Sequence, residues 1–157
     1  MTRKSEILAS FDDAWGDPIC ESLTLALTGV TEASAVYQHP IYSDTKQEED
    51  DPPAGTILWH LVHLAHCYGS YASTIARRPE AAEDTSPPIA RSLAEAISNL
   101  KRDREGLRNA IAAVPESQLD DKVTDYDSVA QLVRMIVRHD AWHASQIAVM
   151  KRMYRMR

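Results

Sequence analysis

Apolar residues recur every three to four positions through four long stretches of this chain, and polar, proline-containing segments divide the stretches. That spacing puts the apolar side chains on one face of a helix. In the first stretch, from about Ser5 to Leu27, the stripe is Ile7, Leu8, Phe11, Ala14 and Trp15, continued by Ile19, Leu23 and Leu27 beyond Gly16-Asp17-Pro18. Pro18 suits the first turn of a new helix with Asp17 as its cap, which predicts one kinked helix or two short ones end to end. A second helix is expected from about Thr56, its cap, to Arg77, closed by Arg78-Pro79. A third is expected from about Ile89 to Val114, between Pro87-Pro88 and Pro115, with Ile89, Leu93, Ile97, Leu100, Leu107, Ile111 and Val114 in its stripe and Arg104 as the polar exception. A fourth runs from about Ser128 to Met153, with Ser128 and Gln131 spaced as a capping box.

Between Thr28 and Gly55 the pattern lapses. His39-Pro40, the acidic run Glu48-Glu49-Asp50-Asp51 and Pro52-Pro53 oppose a helix, so this segment reads as a long connection. A loop of such length often borders a site. Four long helices without a strand pattern predict an all-α, up-down (or up-down-down-up) four-helix bundle. At 157 residues the chain fits a single domain spanning residues 1–157.

Charge narrows the function classes. The formal net charge is −6, whereas nucleic-acid binding calls for a basic face, so no nucleic-acid partner is expected. The basic end, Lys151-Arg152-Met153-Tyr154-Arg155-Met156-Arg157, reads as a frayed helix terminus with cations at the negative dipole pole. Cys20 and Cys67 are the only cysteines and form no CxxC pair, which points away from a disulfide framework and toward a reducing compartment. The opening residues MTRKSEILASFDDAW lack the apolar segment of a signal peptide. No stretch approaches the roughly 20 apolar residues of a membrane span. A cytoplasmic protein without a membrane partner is the expectation.

The six histidines are His39, His60, His63, His66, His139 and His143. His139 and His143 are four apart, so they project from adjacent turns of one helix face. They interrupt an apolar stripe of Leu132, Met135, Ile136, Ile147 and Met150. Imidazoles on an inward face need partners, and a metal ion is one such partner. The second helix, TILWHLVHLAHCYGSY, places Trp59, His60, His63, His66 and Cys67 within about one turn of one another. One imidazole from this helix, His60 or His63, would complete a three-histidine set with open coordination positions. Neutral imidazole suits zinc, nickel, iron and copper alike. Around this set, His60 and His66 read as residues at the cavity mouth, Cys67 as a buried thiol, and Trp142 as core or interface packing. Gln146 and Asp140 are candidates for orienting a ligand from behind. His39, Tyr37 and Tyr42 lie in the long loop.

Three segments in order, FDDAWGDPICESLTLALTGVTEASA, ILWHLVHLAH and RHDAWHASQIAVMKR, resemble the DinB family of helical bundles, which includes YfiT-like metal-dependent hydrolases. The second is similar to the family's W-H-L-x-H-I-A pattern and the third to its H-x-x-x-H-x-x-Q-I pattern. The resemblance implies a metal triad of His63, His139 and His143, with His63 preferred because Leu64-Ala65 follow it as in the family's ligand. Two departures stand out: Ser145 replaces the family's frequent glycine, and His66-Cys67-Tyr68-Gly69 lacks the acidic residue that often follows the helix-two ligand. The resemblance further implies a divalent cofactor, zinc or nickel first, with iron or manganese as alternatives. It implies a small-molecule substrate such as a low-molecular-weight thiol, a transferase or hydrolase activity, and a homodimer. The alternative is a non-catalytic metal-binding or dimerising bundle of the DNA-damage response.

Overall fold

The computed structural model describes residues 2–16, 22–42, 52–76 and 90–157. Its helices are α1 (Arg3–Gly16), α2 (Leu23–Leu27), α3 (Glu32–Ala35), α4 (Ile57–Ile75), α5 (Leu93–Ala113) and α6 (Val129–Met156). Four of them are long, no strand occurs among the described residues, and the architecture is a helical bundle. The longest contact runs between α4 and α5, while α6 packs against α1, α2 and α4. Phe11, Leu61, Leu64, Leu100, Leu107, Ile111, Leu132, Ile136 and Ile147 are fully buried in one shared core.

Caps set the helix starts. Thr56 accepts a hydrogen bond from the Trp59 N–H at 3.0 Å and begins α4. Ser92 accepts from the Glu95 N–H and begins α5, later than the stripe from Ile89 predicts. Ser128 accepts from the Gln131 N–H at 3.1 Å and begins α6. The Gln131 side chain reaches back to the Asp127 N–H at 2.7 Å, one residue before the cap, so the expected capping box is shifted outward by one position. The first stretch divides into α1 and α2, and Ser22 caps the second piece. The expected cap at Asp17-Pro18, the closing Arg77-Arg78-Pro79, the acidic run at 48–51, Pro87-Pro88, Ile89 and Cys20 lie outside the described residues.

The described parts of the segment from Thr28 to Gly55, residues 28–42 and 52–55, contain more regular structure than their composition predicts. Thr31 and Ser34 form a reciprocal capping box that starts α3, and Pro40–Tyr42 make a turn of 3-10 helix. Gln38 Nε2 donates to the carbonyls of Tyr42 (3.2 Å) and Ala54 (3.0 Å), tying the middle of the segment to its C-terminal end. Gly55 then turns the chain into α4 with φ +76°, and a Cβ there would meet the Tyr42 ring at 2.5 Å.

The polar exception in the third stripe points inward. Arg104 donates from Nη2 to the Phe11 carbonyl at 2.7 Å, and its guanidinium lies over the rings of Phe11 and Trp15. Beside it, Arg108 grips Asp12 with two nitrogens. Together they tie α5 to α1. The basic end does not fray: α6 stays helical to Met156, and Lys151 Nζ donates to the carbonyls of Ala26 (2.7 Å) and Thr28 (3.0 Å), securing the end of α2. No helix among the described residues is long and apolar enough to cross a membrane.

Candidate metal centre

Two helices that pack against each other, α4 and α6, supply every histidine of the cluster. The four-residue spacing of His139 and His143 on α6 places their Nε2 atoms 3.0 Å apart. From α4, one turn beyond Trp59, His63 completes the group. One nitrogen from each of His63, His139 and His143 lies within 4.8 Å of the others. Two nitrogens on one tetrahedral zinc, at ligand distances of about 2.0–2.1 Å, stand about 3.3 Å apart. The α6 pair already has nearly that separation.

The imidazoles suit a cation because burial keeps them neutral, with lone pairs available. Burial pushes the pKa of His143 far down, reinforced by its three histidine neighbours. Burial also lowers His139, with His63 adding to the shift, and it lowers His60 to about 4. His139 Nδ1 is buried and has no hydrogen-bond partner among the described residues. The donor set therefore fits a divalent metal ion.

His60 is not at the cavity mouth. It is only 4% exposed, and its Nδ1 lies 2.8 Å from Nδ1 of His143, on the side of that ring away from His139. This separates the two α4 candidates that helical spacing alone left open: His63 joins His139 and His143 in a cluster that could hold a metal ion, and His60 stands behind His143. Trp59 stacks on His63 with ring centres 5.1 Å apart and planes within 9°. Trp142, expected in a core or interface, is 52% exposed and presents an edge contact to His143 at 4.7 Å.

The remaining candidates divide. His66 is exposed. Cys67 is half-buried, with Sγ 3.4 Å from His63 Nε2, and burial raises its thiol to about 11. It is therefore a neutral thiol beside the cluster. Gln146 is half-buried, and its side chain makes no hydrogen bond among the described residues. Asp140 is fully buried but holds no imidazole; its Oδ1 accepts from the Tyr68 hydroxyl at 2.8 Å. Burial raises its carboxyl to about 7, against the opposing pull of Tyr68 and Arg104. Tyr68 attracts no notice in the sequence because a tyrosine in an apolar stripe reads as packing. Its hydroxyl becomes informative only once Asp140 is seen beneath it. In the long loop, Tyr37 packs edge-on against Tyr154, His39 Nδ1 accepts from the Ile41 N–H, and Tyr42 covers Gly55.

The sequence profile of the DinB superfamily matches residues 20–147, which includes all three histidines of the cluster. Neither the curated proteins nor the solved structures contain a match to this chain.

Proposed function

This chain belongs to the DinB superfamily, and from that premise we propose that it is a divalent-metal-dependent enzyme that transfers a small thiol to an electrophile, with His63, His139 and His143 as the ligands. The observation that carries the reading is the convergence of three imidazole nitrogens within 4.8 Å, drawn from two packed helices. Three protein ligands leave coordination positions free, as catalytic sites require. A bound divalent ion would supply Lewis acidity and lower the pKa of a thiol or water at those positions.

The protein's own residues favour the thiol over water. Among the described residues, no carboxylate joins the ligand cluster, and Asp140 is turned into a buried hydrogen bond with Tyr68. Hydrolysis starts from water, with a pKa of about 15.7, and gains most from a positioned general base. A thiol ionises near 8.5 and needs less help. In the transfer, a sulfur–carbon bond forms as the electrophile's leaving group departs, and the thiol proton passes to solvent. Trp59, stacked on His63, holds that ligand in place. The exposed edge of Trp142 offers an apolar surface beside the cluster for the electrophile.

The same lack of a carboxylate also supports a second reading, a non-catalytic metal-binding bundle. One series of experiments separates them. Metal content is measured on the purified protein and on His63→Ala, His139→Ala and His143→Ala. Loss of metal in each variant is expected, and unchanged content in all three would sink the triad. A panel of small thiols is then incubated with a chromogenic electrophile such as a chlorodinitrobenzene. Metal-dependent turnover supports transfer, and its absence with thiol, ester and amide substrates supports the inert bundle. We further propose that the protein is a cytoplasmic homodimer.

A further inference from the structure

We infer that His60 is a positioning residue: it accepts the Nδ1 proton of His143 and thereby aims the Nε2 lone pair of His143 into the histidine cluster. The consequence for metal rests on the reading of the triad given above, whereas the hydrogen-bond arrangement stands on its own geometry.

His143 is fully buried and engaged at both ring nitrogens. Its Nδ1 lies 2.8 Å from His60 Nδ1, and its Nε2 lies 3.0 Å from His139 Nε2. A neutral imidazole has one N–H and one lone pair, so each of these contacts takes one proton. Only two consistent arrangements exist. In the first, His143 carries its proton on Nδ1 and donates to His60, and His139 donates from Nε2 to the His143 Nε2 lone pair. In the second, every proton is reversed: His60 donates to His143, and His143 donates from Nε2 to His139.

His139 decides between them. Its Nδ1 is buried and has no partner among the described residues. In the first arrangement that atom is a bare lone pair. In the second it is an N–H buried without an acceptor. Orphaned buried donors are the rarer defect in folded proteins. The first arrangement therefore prevails, and His143 presents its Nε2 lone pair toward the cluster before any ion arrives. His60 must then carry its own proton on Nε2, which leaves its Nδ1 as an acceptor and withdraws that nitrogen from ligation. Edge contacts from Trp59 to His60 (5.1 Å) and from Trp142 to His143 (4.7 Å) fix the two rings in this register.

The test uses full-length protein labelled with nitrogen-15. Long-range proton–nitrogen spectra of the metal-free protein report which nitrogen of His143 is protonated, and a competition titration reports zinc affinity. Wild type is expected to show His143 protonated at Nδ1. In His60→Asn, the Oδ1 stands where the imidazole Nδ1 stood and still accepts. That variant should keep the same tautomer and bind zinc within a few-fold of wild type. His60→Leu cannot accept; it should lose the single-tautomer signature and bind zinc about 10- to 100-fold more weakly, the usual effect of removing a partner behind a ligand. Thermal melts verify that the variants are folded, and if the leucine variant is not, wild type and His60→Asn still decide. A wild-type His143 protonated at Nε2, equal zinc affinity in His60→Leu and wild type, or equal loss in both variants overturns the inference. Failure of wild type to bind zinc overturns the metal reading instead, and the nitrogen spectra still settle the role of His60.

Discussion

Asp140 sits between two histidines in sequence and yet serves neither, because a helix turns by about 100° per residue and sends its carboxylate to another face. There it meets Tyr68, and its second oxygen, Oδ2, has no partner among the described residues. The buried carboxyl titrates near 7 rather than at its ordinary 3.8. The folded protein thus holds a proton that the unfolded chain releases. Its contribution to stability is fully present below about pH 4 and is lost as pH rises toward 7. Asp140→Asn keeps an acceptor for Tyr68 but cannot titrate. Urea denaturation of wild type and Asp140→Asn should show the stability of wild type, relative to the variant, falling between pH 4 and 7. A constant difference would place the carboxyl's pKa elsewhere. Arg104 is the other buried charge, and its hydrogen bond and two ring contacts identify it as a strut. Arg104→Ala should cost about 2–4 kcal/mol, combining a lost charged hydrogen bond with lost cation–π contact, measurable by the same denaturation.

At the level of elements, α4 and α6 each have a histidine-bearing face turned toward the other, and burial of those faces works against charging them. His60, His139 and His143 all have folded pKa values below the ordinary imidazole value of 6.5. For a base lowered in this way, the unfolded chain binds more protons than the folded one as pH falls below 6.5. The stability associated with neutral imidazoles is full above about 6.5 and is lost as pH drops toward 4. The metal-free protein should therefore melt at lower temperature with each step down in that range. His143→Leu, which removes the most strongly shifted of the three, should flatten the slope. The caps belong to the same scale. Ser128→Ala leaves the Gln131 N–H without its side-chain partner and should destabilise α6 by about 1 kcal/mol. That serine was legible in the sequence. The inward course of Lys151, by contrast, depends on where the end of α2 comes to rest.

For the molecule as a whole, a metal held by His63, His139 and His143 would pin α4 to α6 and so bind the folded state alone. Zinc at about 100 times its dissociation constant would then add about 2.7 kcal/mol, raising the melting temperature of a chain this size by about 5–10 °C. A chelator should reverse the shift, and His139→Ala should abolish it. The proposed homodimer has a candidate face. Val149 and Met156 on α6 are 41% and 75% exposed, and their seven-residue spacing aligns them along one stripe. Sedimentation of wild type should give twice the chain mass, and Val149→Glu with Met156→Glu should give a monomer. A wild-type monomer at tens of micromolar would refute the dimer.

The local properties of this chain were decided by its sequence. Apolar spacing specified the four long helices, the serine and threonine caps specified where α4 and α6 begin, and the four-residue interval brought His139 and His143 to one face, because each depends on residues only a turn or two apart. The choice between His60 and His63 could not be made that way, since both lie on the same side of α4 and neither interval nor burial pattern ranks them. Resemblance to the DinB family favoured His63. The packing of α4 against α6 then determined which nitrogens meet: His63 was placed in the cluster and His60 behind His143. The same packing determined that Asp140 would face Tyr68 and that Arg104 would reach across to α1. These are contacts between residues 72 to 93 positions apart, and no local pattern encodes a partner at that distance.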